Sequence, residues 1–426
     1  MDKKGISLRI VAIIVAVIVI IAGVGIWYMY SQQQPQVQTG EPIRIGALMN
    51  LSGAFAPEGI RARLQITAWA TEINVKGGMY LEKTGAYHPI EVVFYDAESQ
   101  VSRATEFATK IATEKPVHAL LLRGLSPPMS VPAVVNIEKI GGLPTVSTSP
   151  VDTMLDQCLP SIPGNKFTWT WHVAFNYTVY GQLWKGFLSQ YKNQIAKIGM
   201  LLRDDTSGRD AYRKLGPRLE EAGFTLVFPG YFPGGISDFT SIIVKFKEEN
   251  VDVVYVNCES AEWIAFRRQC ATLGLKPKMF CVGRAMKIPE AEALGRELAE
   301  GITSETHWWY KLPYKGNEWY RENWQKLFGD MSMTHMEGMT YTGFHVLLEA
   351  IKIAGSLDKD VINNAFPQVE LDMPTGHVKF RADHTCATVS TLAQYIVTPQ
   401  GKWDMKIVYV PPGTGIQTEP ATFPIP

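Results

Sequence analysis

The sequence predicts an α/β fold of two lobes, each built on a parallel sheet, behind one N-terminal apolar segment. Apolar runs of strand length alternate with stretches of helical periodicity, which is typical of parallel strands joined by crossover helices. This alternation runs to the predicted strand Pro144–Thr148 and restarts at Tyr177, so two units of similar size follow one another. Apolar residues make up 46% of the 426 residues, which is enough for more than one domain core.

Residues 1–30 predict a signal anchor. Ile10–Tyr30 is an uncharged apolar run of 21 residues, about the length that a helix needs to cross a bilayer. Basic residues precede it, so we expect a cytoplasmic N-terminus and an extracytoplasmic remainder. Cleavage as a signal peptide, giving a periplasmic or secreted protein, is the alternative, although no small-residue cleavage pattern follows. Residues 31–41 are polar and predict a linker.

The first unit predicts four strands and three helices. In the first helix, Ile60 and Leu64 fall on the face expected to point inward. Strands are predicted at Ile43–Met49, Ile90–Asp96, His118–Leu122 and Pro144–Thr148, with helices before Gly77, from Ser102 and over Val131–Ile140.

The second unit repeats this pattern, and the last third is less regular. Helices are predicted at Tyr177–Tyr191, Arg209–Ala222, Asp238–Glu249, Ala261–Leu273, Glu318–Phe328 and Glu337–Ala354. Strands are predicted at Ile195–Leu202, Phe224–Phe228, Val251–Asn257 and Lys278–Val282, with extended chain at Ile302–Tyr310, Gly376–Phe380, Thr391–Thr398 and Trp403–Val410. The segment 411–426 is rich in Pro, Gly and Thr and predicts a loose tail.

Composition and motifs argue against nucleic-acid binding and against catalysis. The 41 basic and 41 acidic side chains balance, which excludes a broad basic surface. Nucleophile-elbow, phosphate-loop and zinc-protease motifs are absent, so neither an enzyme nor a cofactor is predicted. A metal pair of His335 and His345 on one helix is considered, but ordinary helix-face histidines are favoured. Cys258 and Cys281 lie near the ends of two strands expected to be neighbours, which leaves a disulfide or two buried thiols open.

Several segments resemble type I periplasmic binding proteins, and most closely the leucine/isoleucine/valine-binding receptors of ABC transporters. The matching segments are Asn50–Gly59, Glu72–Gly78, Val92–Ser99, Leu143–Pro150, Leu201–Asp210, Ser237–Ile243 and Ala299–Thr306. Each motif is short, but their order and spacing are kept from about residue 42 to 408.

The resemblance implies two Rossmann-like lobes joined by three crossovers, with a small ligand in the cleft between them. Lobe I would comprise residues 42–165 and 305–385, and lobe II residues 166–304 and 386–410. In such open sheets, ligands bind beyond the carboxyl ends of the strands.

The resemblance also implies nine ligand-binding positions, several of which differ from the pattern of the family. Pro127 and Pro128 follow the expected carboxylate-binding serine and lack N–H donors. Arg284 falls where relatives have the acid that holds the ligand ammonium, which reverses the charge expected there. The nine candidates are Phe55, Glu58, Ser126, Ser149, Thr153, Ser207, Glu259, Arg284 and Trp308.

Taken with these departures, the resemblance implies the receptor of an ABC importer. It would capture a small amino-acid-like or carboxylate-bearing ligand, with aromatic compounds and amides included, by hinge closure, and then dock on permease subunits. The N-terminal helix would hold it at the membrane. A membrane-anchored sensor that signals to a partner protein is the alternative function.

Overall fold

The computed structural model describes residues 38–425, which form two large sheets with helices on both faces and two small two-stranded sheets. The strands are β1 Ile43–Met49, β2 Met79–Leu81, β3 Ala86–His88, β4 Ile90–Asp96, β5 Ala119–Leu122, β6 Thr145–Ser147, β7 Thr170–Ala174, β8 Lys197–Leu202, β9 Thr225–Val227, β10 Val253–Asn257, β11 Met279–Val282, β12 Thr303–Thr306, β13 Glu370–Met373, β14 Gly376–Lys379, β15 Thr385–Ala387, β16 Thr391–Val397 and β17 Trp403–Tyr409. The first large sheet has the strand order β15-β7-β6-β5-β1-β4, and the second has the order β17-β16-β12-β11-β10-β8-β9, while β2 pairs with β3 and β13 with β14.

The helices fill the connections between these strands. They are α1 Ala56–Val75, α2 Val101–Glu114, α3 Pro127–Ile140, α4 Val151–Cys158, α5 Tyr177–Ser189, α6 Thr206–Glu221, α7 Thr240–Glu248, α8 Ser260–Thr272, α9 Ile288–Leu294, α10 Arg296–Ala299, α11 Asn317–Phe328, α12 Glu337–Ala354 and α13 Lys359–Ala365.

Pairing in the sheets confirms the predicted parallel architecture. All neighbours in the first sheet are parallel, and so are β12-β11-β10-β8-β9 in the second. The last two strands, β16 and β17, are antiparallel additions to the second sheet. The interior strands of both sheets, such as β5 and β11, are buried throughout, which agrees with the continuous apolar sequences of these strands.

The chain passes between the sheets three times, after β7, after β12 and after β15. The first passage comes later than expected, because Thr170–Ala174 pairs with β6 in the first sheet although residues 166–304 were assigned to lobe II. The other passages, after Thr306 and Ala387, lie within two residues of the predicted limits. We call the unit around the first sheet lobe I and the unit around the second lobe II.

The buried face of α1 differs from the predicted one. Ile60 and Leu64 are 44% and 39% exposed, whereas Arg61 and Gln65 point inward. Arg61 Nε lies 3.0 Å from Glu337 Oε1 on α12, and Gln65 Oε1 accepts a hydrogen bond from buried Tyr320. The buried face is formed by Ala62, Ile66, Trp69 and Ala70, with Arg61 and Gln65 beside them, so it is a second apolar face next to the predicted one.

The C-terminal tail is not loose, as the sequence predicted, because it is bonded to lobe II. The backbone N–H of Glu419 donates to Ile407, and that of Ile425 donates to Lys278. Gln394 bonds to the backbone of Thr422 in both directions. The tail therefore covers part of the second sheet up to residue 425.

Two further expectations concern cysteines and the N-terminus. All five cysteines are buried thiols, so Cys258 and Cys281 form no disulfide. The predicted anchor Ile10–Tyr30 lies outside the described residues, and within 38–425 no helix has the length and apolar character to cross a bilayer. The predicted linker ends before residue 41, because Gln38 and Gly40 already pair with Tyr87.

Candidate functional site

A cavity of about 90 Å³ lies between the two lobes, where the carboxyl ends of their parallel strands face each other. Residues that follow β1, β5, β6 and β7 form its lobe I wall, and residues that follow β8, β10, β11 and β12 form its lobe II wall. This is the edge at which open α/β sheets bind ligands. The cavity is small, so a ligand that binds there would be a small molecule.

Helix starts hold most of the wall residues of lobe I. Phe55 and Glu58 lie at the start of α1, and Ser126 is the N-cap of α3. Pro127 and Pro128 occupy the first turn of α3 and donate no hydrogen bond, while the N–H of Met129 is already bonded to Ser126 O. The start of α3 therefore offers no free N–H in its first three positions.

Capping interactions fix the wall residues of lobe II. Asp205 caps α6 by accepting the N–H of Gly208, and this places Ser207 in the first turn. Glu259 caps α8 in a reciprocal arrangement with Glu262, whose carboxylate accepts the Glu259 N–H at 3.0 Å. Both wall residues thus sit on defined helix starts and not on free loops.

An ion pair joins the two lobes across the cleft. Glu58 Oε1 of lobe I lies 2.7 Å from Lys287 Nζ of lobe II, with only 17% and 12% of the side chains exposed. Burial opposes both charges, but their mutual attraction outweighs it. The pKa of Glu58 therefore falls to about 2, and the pKa of Lys287 rises. The pair is fully ionised at neutral pH.

Two carboxylates neutralise Arg284. Its Nη2 lies 2.5 Å from Asp205 Oδ2, and its Nη1 lies 3.3 Å from Glu259 Oε1. Burial would lower the pKa of Arg284, but these carboxylates raise it instead. Burial raises the pKa of Glu259, and the Arg284 charge opposes that rise. The positive charge predicted for Arg284 is present, but it is compensated within the protein.

Several polar atoms of the wall lack a partner. Among residues 38–425, no hydrogen-bond partner of acceptable geometry reaches Ser207 Oγ, Arg284 Nη1 or His335 Nδ1. Buried polar atoms are normally paired, because leaving one unsatisfied costs about 1–3 kcal/mol. All three residues line the cavity, so a polar ligand could satisfy them.

Two neutral histidines complete the wall. Burial lowers the pKa of His335 to about 3 and that of His307 well below its usual value. The His307 ring stacks on Phe175 at 3.7 Å, and its Nδ1 lies 2.6 Å from the hydroxyl of Tyr180. His335 precedes α12, so it does not share a helix with His345 as the sequence analysis assumed when it considered a metal pair there. No cluster of metal-ligating side chains occurs among residues 38–425.

A buried carboxyl group lies on β12, two residues before His307 of the cavity wall. Glu305 of β12 accepts hydrogen bonds from Trp184 Nε1 and the Tyr255 hydroxyl, both at 2.9 Å, and forms no ion pair with any residue of 38–425. Burial raises its pKa to about 7, although these hydrogen bonds oppose the rise. Glu305 immediately precedes the second passage between the lobes.

The periplasmic binding protein family matches residues 42–402 of this chain. The chain belongs to that family. Leu/Ile/Val-binding protein homolog 7 of Brucella melitensis is 23% identical to it over 339 residues, which cover 78% of this chain and 82% of that protein. The resemblance stated from the sequence is thereby confirmed.

Solved structures share the fold of this periplasmic binding protein. The leucine-binding protein LivK of Thermotoga maritima has a TM-score of 0.73 at 18% identity, covering 87% of this chain and 99% of its own. A solute-binding protein of an ABC transporter from Rhodopseudomonas palustris, in complex with 3,4-dihydroxybenzoic acid, has a TM-score of 0.70 at 17% identity, covering 90% and 98%.

The structure brings seven of the nine candidates to the cavity of the periplasmic binding protein. Thr153 is not among them, because its hydroxyl donates to Asp210 at 2.7 Å in a contact between the lobes. Trp308 is fully buried and donates to Asn317 Oδ1, so it does not reach the cleft mouth as predicted. Ligand contact stays a prediction for the seven, which are Phe55, Glu58, Ser126, Ser149, Ser207, Glu259 and Arg284.

Sequence reasoning missed several wall residues of the periplasmic binding protein. Arg123 follows β5 directly, and Lys287 follows the predicted strand β11 by a few residues, so the rule of strand ends could have found both. Phe175 and His307 could not be found by that rule, because the strand ends that precede them were not predicted. Phe175 follows β7, a strand that was not predicted, and His307 stood in a segment whose register was unassigned.

Proposed function

We propose that this protein is an extracytoplasmic solute-binding receptor of an ABC importer that captures a small carboxylate-bearing ligand by closing its two lobes. The observation that supports this most directly is the cavity at the facing strand ends. Polar atoms without a hydrogen-bond partner line this cavity from both lobes. A ligand there contacts both lobes at once and therefore stabilises the closed arrangement.

The docking and anchoring of the receptor belong to the same proposal. Family membership supports delivery to permease subunits, and the names of the relatives support an amino acid or an aromatic acid as cargo. The apolar run Ile10–Tyr30 would anchor the receptor beside the permease and raise its effective concentration there. The lobes would move as two bodies around the three passages.

Thermal melting of the full chain in mild detergent tests ligand capture. The panel contains branched-chain amino acids, aliphatic acids, aromatic acids and amides. A ligand at a hundredfold excess over Kd adds about 2.7 kcal/mol of stability, which corresponds to a shift of about 3 °C for a protein of this size. Other compounds should leave the melting temperature unchanged.

A matched pair of variants locates the effect in the cavity. Ser126→Trp should fill much of the cavity and remove the shift, whereas Ser102→Trp on the exposed face of α2 should retain it. An equal shift in both variants would place binding elsewhere. A flat response of the wild-type protein to the whole panel would contradict capture of a small carboxylate.

A further inference from the structure

One cation of the cavity wall, Arg123, is in no ion pair with any residue of 38–425. Arg123 is 2% exposed and lies directly after β5. Its Nε donates to Thr340 Oγ1 and its Nη2 to Met336 O, both at 2.8 Å. Both acceptors are neutral, so they orient the guanidinium without balancing its charge.

The other charged groups of the wall are already paired. Lys287 is bound by Glu58, and Arg284 is bound by Asp205 and Glu259. Among residues 38–425, Arg123 forms no ion pair and its Nη1 no hydrogen bond. An arginine stays protonated even when burial disfavours its charge, and a buried charge without a partner is strongly destabilising. Arg123 is therefore the cation of the cavity wall that no carboxylate of residues 38–425 contacts directly, and a ligand carboxylate could make that contact.

The neighbouring helix cannot supply this anion site instead. A helix N-terminus usually binds an anion through free N–H groups, but the first turn of α3 begins with Pro127 and Pro128. The next N–H, that of Met129, is bonded to Ser126 O at 2.8 Å. Arg123 is the strongest donor that remains on this side of the cavity.

We propose that Arg123 binds the carboxylate of the ligand, and that the ligand is a carboxylic acid without an amino group. The inference rests on the proposed function. A planar guanidinium matches a carboxylate in a two-point contact. An ammonium group would need a free carboxylate, but Glu58 and Glu259 are held by Lys287 and Arg284. The rings of Phe55 and Phe175 line the same cavity and suit an apolar remainder.

The test compares acids with their own amides, so that shape is kept and charge is removed. Benzoate and 4-methylpentanoate are titrated calorimetrically into the full chain beside benzamide, 4-methylpentanamide and leucine. We expect at least one acid to bind the wild type at least about 100-fold more tightly than its amide, since losing one member of a buried charged pair commonly costs 2–5 kcal/mol. Leucine should also bind more weakly than that acid.

Three variants test whether Arg123 causes the preference for acids over amides. Arg123→Met should lose at least about 100-fold in acid affinity with little change for amides, and Arg123→Lys, which keeps the charge without the planar fork, should lie between. Arg267→Met is the control, because Arg267 is also buried, forms no ion pair within 38–425 and lies outside the cavity. It should leave the preference for acids unchanged.

The outcomes separate this inference from the proposed function. Wild-type preference for leucine or amides, or acid affinity of Arg123→Met within threefold of the wild type, overturns the role of Arg123 and leaves a receptor for another solute. Absence of any binding by the wild type overturns both. The acid–amide comparison needs no variant, so it remains decisive even if Arg123→Met does not fold.

Discussion

The ion pair between Glu58 and Lys287 should set how readily the cleft closes. It is the charged contact that links the two walls of the cavity, at 2.7 Å and largely shielded from water. Replacing Glu58 by Gln keeps the shape of the side chain but leaves Lys287 without its counter-charge. Only the closed arrangement brings these groups together, so the change should disfavour closure and weaken ligand binding.

The pKa of Glu58 gives the size of this effect. A fall from 4.5 to about 2 corresponds to about 3 kcal/mol of preference for the charged form in this environment. Measured losses for broken buried pairs are about 3–5 kcal/mol, which is consistent with that value. If closure is coupled to binding, a loss of about 3 kcal/mol lowers ligand affinity by about 100-fold.

Small-angle scattering and calorimetry measure the two consequences. Glu58→Gln should bind the ligand found in the panel about 100-fold more weakly, and its radius of gyration without ligand should be larger than that of the wild type. Glu91→Gln is the control, because its partner Arg44 lies in the same lobe and both side chains are about half exposed. Equal affinity in Glu58→Gln and the wild type would refute the link between this pair and closure.

Three other measurements test the lobes themselves. The raised pKa of Glu305 means that its carboxyl group favours unfolding as pH rises from about 4.5 to 7, by about 3 kcal/mol in total, and urea titrations of Glu305→Gln should lose this slope; a slope equal to that of the wild type would contradict it. A Cβ at Gly338 would lie 2.3 Å from Trp308 Cγ, so Gly338→Ala should cost about 1–3 kcal/mol, and Trp308→Ala in the same chain, which removes that atom, should relieve part of that cost; additive costs would argue against the clash. The five buried thiols should resist thiol reagents in the native protein and react on unfolding, since burial raises their pKa values; rapid labelling without unfolding would contradict their burial.

Strands in the middle of the sheets could be predicted because burial on both faces produces continuous apolar runs. β5 and β11 are examples, and the loops that follow them supplied correct wall residues such as Ser126 and Arg284. β7 could not be recognised in the same way, since its sequence TWHVA mixes polar and apolar residues that are all buried. Missing this strand moved the predicted lobe boundary and removed Phe175 from the candidates.

Other details depend on contacts that the sequence does not specify. Ile60 and Leu64 fall on one apolar face of α1 by periodicity, but Ala62, Ile66 and Trp69 fall on another, and packing in the fold decides which face is buried. Trp308 turned away from the cleft because its indole N–H is bonded to Asn317. The charge reversal at Arg284 was predicted, but the carboxylates that neutralise it come from loops distant in sequence. The charge balance of a cleft can therefore be predicted only when the three-dimensional arrangement of its residues is known.

The cavity wall is continuous with the segments that join the lobes. Phe175 and His307 each follow the last strand residue before a passage between the lobes, and their rings stack at 3.7 Å. The third passage is bonded to the other two, since Thr388 N donates to Ala174 O and Thr391 Oγ1 donates to Thr306 O. A ligand that contacts Phe175 or His307 therefore acts on the connecting segments directly. Closure would then respond both to the charge that the ligand balances and to the packing of its apolar part against this stacked pair.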